Sequence, residues 1–151
     1  TCKRSFGDKP HEAAGVKRMA AYHGKKGVVY LSTTGTGAAT NVVKLKAWSV
    51  DATTDKIDVT SFNDTNKSYV QGLPDIKGSF NGFFDDTETK LTTAAASTDG
   101  CKIYLYPSAD APTKYKCGPA WIDQSISVDN TGAVSITANF VANGSWALST
   151  I

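Results

Sequence analysis

Alternating apolar and polar residues constrain the fold of this chain more than any other feature. The clearest run is Val134, Ile136, Ala138 and Phe140, with a polar residue between each pair. Successive side chains of a β-strand point to opposite faces, so this spacing predicts a strand with one buried face. An amphipathic helix would instead repeat its apolar residues three and four positions apart.

Similar runs recur along the chain between segments rich in Gly, Asn, Asp and Pro,. We predict further strands over residues 28–31, 43–50, 57–59, 76–84, 102–106, 115–122 and 126–128. Residues 51–55 are predicted to form a turn, because Asp and Thr side chains bond to nearby backbone. Gly78 and Gly82 indicate a bulge or a close approach of the backbone.

One segment, residues 85–100, has a helical pattern. Asp85, Asp86 and Glu88 place negative charge where a helix begins, alanines follow, and Gly100 can end the helix,. Many short strands around one helix predict an all-β fold, a β-sandwich or barrel with one short flanking α-helix.

The charge of the chain is unevenly placed. The 151 residues suit one domain, and no apolar run is long enough to span a membrane,. Of the net charge of +2, residues 1–18 hold +3, which leaves −1 on the rest. We expect a basic N-terminal arm over residues 1–18, disordered or upstream of a natural start at Met19, and a single β-domain over residues 19–151. A removed propeptide and a functional basic arm are the alternatives for that segment.

Residues that carry catalysis or bind metals are scarce. The two histidines, His11 and His23, lie near the N-terminus without a zinc-ligand spacing,. We therefore predict no catalytic residue, no metal and no cofactor. Cys101 and Cys117 fall near cross-strand positions if their strands form a hairpin, which allows a disulfide. Two buried thiols are the favoured alternative.

Two segments suggest binding surfaces. Lys44, Lys46 and Trp48 share one face of a predicted strand, a pattern that could stack single-stranded nucleic acid,. The slightly acidic body lacks the dense basic surface that nucleic-acid readout needs. Residues 61–74 form a long polar loop that carries Phe62, Tyr69 and Leu73, and such anchors suit protein interfaces.

The order and spacing of several short strings carry a resemblance to a known family. They are LKAWSVDA (residues 45–52), DVTSF (58–62), GLPD (72–75), GSFNGFFD (78–85), YLYPS (104–108), VSITANF (134–140) and GSW (144–146). Together they resemble the major tail tube proteins of long-tailed, siphophage-type bacteriophages, over almost all of residues 19–146.

This resemblance implies a structural virion protein that is not an enzyme. Six copies would close into a ring, and rings would stack into a hollow conduit for DNA. It implies contacts with further copies, with the tape measure, terminator and tip proteins, and transiently with phage DNA without sequence specificity. No membrane partner is implied. Assembly would take place in the cytoplasm of the bacterial host, and the product would be the virion tail.

The resemblance also assigns residues to surfaces. Candidates for contacts between subunits and rings are Phe62, Asn63, Asp64, Lys67, Tyr69 and Leu73. Candidates for the inner wall are Lys44, Lys46, Trp48, Ser79 and Asn81. Two alternatives stay open: a capsid decoration or other virion β-domain, and a carbohydrate-binding or adhesin β-sandwich that would use exposed tryptophans such as Trp48, Trp121 or Trp146.

Overall fold

The computed structural model describes residues 22–147, which form one antiparallel sheet of seven strands and one short helix. The elements are β1 (Val28–Ser32), β2 (Thr40–Asn41), β3 (Leu45–Asp58), β4 (Tyr69–Phe83), α1 (Lys90–Ala95), β5 (Cys101–Tyr106), β6 (Lys116–Ser127) and β7 (Ser135–Ala142), preceded by a 3-10 turn at Gly24–Lys26. The strand order is β2-β1-β5-β6-β7-β4-β3. The predicted all-β class with one short helix is confirmed, and the predicted arm over residues 1–18 lies outside the described residues.

The main core lies on the face of the sheet that α1 covers, which we call the inner face. Leu91 and Ala94 of α1 are buried there. The strands contribute their alternating apolar residues, and the rings of Phe80 and Phe140 stack with centroids 5.7 Å apart. Trp146 stacks on Phe140 at 5.5 Å and donates from its indole N–H to the Pro119 carbonyl at 2.7 Å.

A second buried cluster covers the opposite, outer face of β1, β5 and β6. Tyr104, Tyr106 and Cys117 are buried there, and the Tyr115 ring lies 5.2 Å from that of Tyr106. β1, β5 and the start of β6, as far as Ala120, are therefore buried on both faces, whereas Trp121 and the outward-facing residues after it are exposed. The half that consists of β3, β4 and β7 has only its inner face buried.

A β-bulge at Lys46 changes which residues of β3 face the core. Leu45 pairs with Gly82 and Ala47 pairs with Asn81, so Lys46 is an extra residue on β3,. Beyond the bulge, Trp48 packs against the core, whereas Ala47 faces outwards. The prediction that Lys44, Lys46 and Trp48 share one strand face is therefore wrong. Lys44 precedes the strand in a left-handed conformation with φ of 62°.

Three boundary predictions are also wrong. Residues 51–55 continue β3 without a turn, and β4 begins at Tyr69, inside the predicted long loop. The helix covers Lys90–Ala95 alone. The acids before it form a turn instead, in which the Asp85 carboxylate accepts from the Thr87 backbone N–H at 3.0 Å.

The two cysteines of the β5–β6 hairpin do not face each other. Cys101 pairs with Ala120 and Cys117 pairs with Tyr104, and the two lie in clusters on opposite faces. The disulfide considered between them does not form. The Cys101 thiol is free, and burial raises its pKa to about 12.

Gly82 permits the close approach of β3 and β4, as the sequence predicted. A Cβ at this position would lie 2.3 Å from the Lys44 carbonyl oxygen. We expect Gly82→Ala to lower the free energy of unfolding by about 1–3 kcal/mol, because the backbone must shift. Gly132→Ala is the control, since a Cβ there meets nothing within 4 Å. Urea denaturation midpoints measure both, and equal midpoints for the two variants would contradict the packing described here.

Candidate assembly surfaces

The β3–β4 hairpin extends beyond the rest of the sheet. The pairing of β4 with β7 ends at Lys77 and Val141, while β3 and β4 continue to pair as far as Asp58 and Tyr69. We call residues 53–76 the hairpin arm. The six residues of β3 beyond Ala52 project by roughly 20 Å at 3.3 Å per residue. Within residues 22–147, no third strand supports this arm.

The hairpin arm exposes most of its large apolar side chains. Phe62 is 99% exposed and Leu73 is 88% exposed. Four more apolar side chains of the arm are about half-exposed: Ile57, Val59, Tyr69 and Val70. Exposed apolar surface of this extent marks a site of interaction between macromolecules.

A second bulge directs Leu73 into solvent. Thr54 pairs with Pro74 and Lys56 pairs with Gln71, so Gly72 and Leu73 together lie opposite Asp55. Gly72 fits closely there, since a Cβ on it would lie 3.3 Å from the Asp55 Cβ. Bulges of this kind redirect a side chain without ending the strand.

The loop at the end of the hairpin arm (residues 59–68) is ordered by its own hydrogen bonds. The Asp58 carboxylate accepts from the Thr60 backbone N–H at 2.9 Å, and the Asp64 carboxylate accepts from that of Ser61 at 2.8 Å. The Thr60 hydroxyl accepts from the Ser68 N–H at 3.0 Å. Phe62 is therefore presented on a defined turn.

These hydrogen bonds alter the acidity of the loop. The Asp58 carboxylate accepts hydrogen bonds from the Thr60 hydroxyl, which has the larger effect, and from the Thr60 backbone N–H. Both lower the pKa of Asp58 below its ordinary value. The Ser61 backbone N–H, followed by its hydroxyl, lowers the pKa of Asp64. Both carboxylates stay charged under neutral conditions, so the turn keeps its acceptors.

The outer face of β3, β4, β7 and the end of β6 is largely polar and has no cover among the described residues; Trp121 and Val141 are among its half-exposed apolar residues. Ser79 and Asn81 lie here, and the Ser79 hydroxyl is 3.3 Å from that of Ser49. Further exposed or partly exposed residues of this face are Asp51, Asp75, Lys77, Asp123, Ser125, Thr137 and Asn139. Three acids and one lysine make the face slightly acidic, and Lys77 is paired with Asp75 at 2.8 Å.

Free strand edges border this polar face on both sides. β3 is the last strand of the sheet, so one of its edges has no partner strand among residues 22–147. On the other side, β5 pairs with β6 only as far as Ala120, so residues 121–127 have no strand partner on that edge. The helix α1 packs beside this part of β6, and the Thr92 hydroxyl donates to the Gln124 side chain at 3.0 Å. A strand edge of this length is a template for pairing with another chain.

The structure separates the predicted site residues into three groups. All six predicted contact residues lie on the hairpin arm, with Phe62 and Leu73 the most exposed. Ser79 and Asn81 lie on the polar outer face, Trp48 points to the core, and Lys44 and Lys46 flank the start of β3. Ile57, Val59 and Val70 also belong to the exposed arm and were not predicted as contact candidates, although Ile57 and Val59 alternate with polar residues in the sequence.

The part of the chain that the structure describes shows neither a metal-binding cluster nor a membrane-spanning helix. Residues 22–147 contain no group of three or more His, Cys, Asp or Glu that could hold a metal ion. None of the helices in that range is long and apolar enough to cross a membrane.

Comparison with known proteins identifies the fold. No protein-family model and no curated protein matches the sequence. A solved structure of the tail of an empty gene transfer agent (GTA) particle, refined with C6 symmetry, aligns with a TM-score of 0.73 and 18% identity, over 86% of this chain and 100% of that one. The SPP1 tail tube aligns with a TM-score of 0.65 and 14% identity, over 82% and 77% of the two chains. This chain has the tail tube fold.

The tail tube fold also extends to a related system. The tube-terminating cap of the anti-feeding prophage aligns with a TM-score of 0.66 and 13% identity, over 91% of this chain and 97% of that one. The sequence identities are low, so the order of strands is shared far more strongly than individual residues are.

Acid should loosen the turn at the end of the hairpin arm. Because the folded pKa values of Asp58 and Asp64 are lowered, their contribution is complete above the unfolded value near 4 and is lost as the pH falls through the folded values,. We expect the backbone amide signal of Thr60 in NMR spectra to shift with a midpoint below 3.8. Asp58→Asn should abolish that shift, and a midpoint above 3.8 in the unmodified protein would contradict the hydrogen bonds.

Proposed function

We propose that this chain is a tail tube subunit, a structural virion protein whose copies close into hexameric rings that stack into a hollow conduit for DNA. The observation that carries the proposal is the unsupported hairpin arm with its exposed apolar residues. A two-stranded hairpin is marginally stable alone in water, so this arm needs a partner surface. A second copy of the chain can supply this partner surface when the local protein concentration is high.

Lateral contacts would use the two free strand edges. The edge of β3 in one copy can hydrogen-bond to residues 121–127 of β6 in the next copy, which continues the sheet around a ring. Head-to-tail contacts of this kind join two different surfaces. They generate a closed ring when a whole number of the rotations between neighbouring copies makes up a full turn. Closure would also remove the edges, which otherwise invite uncontrolled aggregation.

The outer face of the sheet, which is largely polar and lies opposite the core, suits the wall that lines the hollow centre of such a ring. Ser79 and Asn81 remain the wall candidates, joined by Ser49, Asn139 and Asp123 on neighbouring strands. Affinity of proteins for DNA comes largely from Lys and Arg contacts to phosphates. A face of short hydroxyl and amide side chains with a slight acidic excess would let DNA pass without holding it.

The hairpin arm would join one ring to the next. Phe62, Asn63, Asp64, Lys67, Tyr69 and Leu73 would contact the adjacent ring, with Phe62 and Leu73 as apolar anchors. The remaining partners would be the tape measure, terminator and tip proteins of the tail. We place assembly in the host cytoplasm and the product in the virion tail, with no enzymatic role.

The tryptophans do not favour a carbohydrate-binding or adhesin function. Trp48 and Trp146 pack against the inner core. Trp121 is the one tryptophan on the outer face, where it is 44% exposed. Within residues 22–147, the outer face therefore presents a single half-exposed indole.

Electron microscopy of the purified protein tests the proposal. We expect six-fold rings or hollow tubes at high protein concentration, because both edges and the hairpin arm find partners on other copies. A protein that stays monomeric at millimolar concentration in dilute salt would contradict the proposal.

Leu73→Asn separates stacking from ring closure. The substitution removes an exposed apolar anchor without entering the core, so we expect rings to form normally while tubes need roughly tenfold more protein. Gln71→Asn, on the same strand, is the control and should leave tube formation unchanged. Sedimentation velocity measures both species, and equal tube formation by the two variants would argue against an apolar anchor at Leu73.

A further inference from the structure

A groove opens at the end of the sheet opposite the loop of the hairpin arm. It encloses a cavity of about 680 Å³ between the start of β3 and the segment that leads into β1. Its walls combine polar residues (Asn41, Lys44 and Lys46) with apolar and aromatic ones, which include Tyr22, Val28, Val43, Leu45, Trp48 and Pro107. We call this cavity the Trp48 groove.

The Trp48 indole borders the groove with both apolar and polar atoms. Gly27 lies next to it, and a Cβ on Gly27 would come within 3.3 Å of the indole Nε1. Any larger residue at that position would crowd the edge of the indole. Trp48 is only partly buried, and its N–H makes no hydrogen bond to residues 22–147. An aromatic side chain followed by a backbone carbonyl would satisfy both the apolar walls and this donor.

The charges around the groove and on the hairpin arm are opposite in sign. Lys25, Lys26, Lys44 and Lys46 flank the groove. Asp110 pairs with Lys26, and Asp85 lies close enough to Lys44 to have its own pKa lowered by that lysine. Glu88 accepts from the Val43 backbone N–H at 3.2 Å and is itself paired with Lys90 at 2.9 Å, so the surroundings keep a positive excess. The hairpin arm carries four aspartates and two lysines, and is therefore net negative.

The two surfaces cannot meet within one copy. β3 begins at Leu45, in the groove wall, and ends at Asp58, beside the loop of the arm. Its 14 residues separate these points by roughly 45 Å at 3.3 Å per residue,. Copies arranged end to end would instead bring the loop of one copy to the groove of the next.

We propose that the Trp48 groove receives Phe62 from a second copy of this chain in the adjacent ring. Phe62 is the most exposed large apolar residue of the described chain, and its turn is held in place by the Asp58 and Asp64 hydrogen bonds. The inference deepens the proposed function and rests on it, since it assigns the receiving surface for the hairpin arm. The opposite charges would orient the two surfaces before the phenyl side chain of Phe62 enters the groove.

Photo-crosslinking tests this assignment directly. p-Benzoylphenylalanine in place of Phe62 keeps an aromatic side chain and links to whatever it contacts. In assembled tubes we expect crosslinks between copies, mapped by mass spectrometry to residues 22–28 or 42–48. Tubes whose crosslinks map to residues 83–84, to residues 126–128 or to residues 1–21 would overturn the groove assignment and leave the proposed function intact. A wild-type protein that forms no rings or tubes would overturn both.

Paired surface variants give a second, independent measurement. Val43→Asn makes the groove wall polar, and Val128→Asn makes the same change at an exposed residue of the same end of the sheet. We expect Val43→Asn to raise the protein concentration needed for tubes by roughly tenfold, and Val128→Asn to leave it unchanged. Ring formation and the thermal midpoint of each variant report on folding. A normal concentration for Val43→Asn, or a rise for Val128→Asn alone, would place the contact elsewhere.

Discussion

Among residues 22–147, the hairpin arm has no third strand beside it, and the assembly account depends on this constraint. Residues 53–76 keep the pairing of β3 with β4 but lose the support of β7 and of the core. Backbone pairing between two strands does not by itself offset the conformational entropy of ordering them. The apolar side chains of the arm can add stability only when another surface covers them. Under the proposed function, the arm gains this cover when copies meet.

The two halves of the sheet differ in how many of their faces are buried. β1, β5 and the start of β6 are buried on both faces, so this half stabilises the single copy. β3, β4 and β7 bury only the inner face and leave a polar outer face with free edges. The two bulges maintain this division: the one at Lys46 brings Trp48 to the core, and the one at Gly72 and Leu73 directs Leu73 into solvent. Stability is thus concentrated in one half, and contact surfaces in the other.

Much of the fold could be predicted from the alternation of apolar and polar residues, because a strand with one buried face has an apolar residue at every second position. β5 and β7 were predicted nearly to their ends for this reason, whereas β6 was predicted as two strands, at residues 115–122 and 126–128, and is one strand from Lys116 to Ser127. Alternation fails where neither face is buried, and residues 51–55 of β3 therefore resembled a turn. The bulge at Lys46 could not be predicted either, since a one-residue shift of register leaves no local signal. The exposure of Phe62 and Leu73 could be predicted from their places in a polar segment, whereas the Trp48 groove depends on segments that are distant in sequence.

Hydrogen exchange of the hairpin arm tests most directly whether its order depends on a neighbouring copy. Mass spectrometry can follow the backbone amides of residues 56–71 in dilute protein and in assembled particles, with the β5 amides as the internal reference. The account predicts rapid exchange of the arm in dilute protein, strong protection after assembly, and protection of β5 in both states. Equal protection of the arm in the isolated copy, or no gain of protection when large particles form, would contradict it.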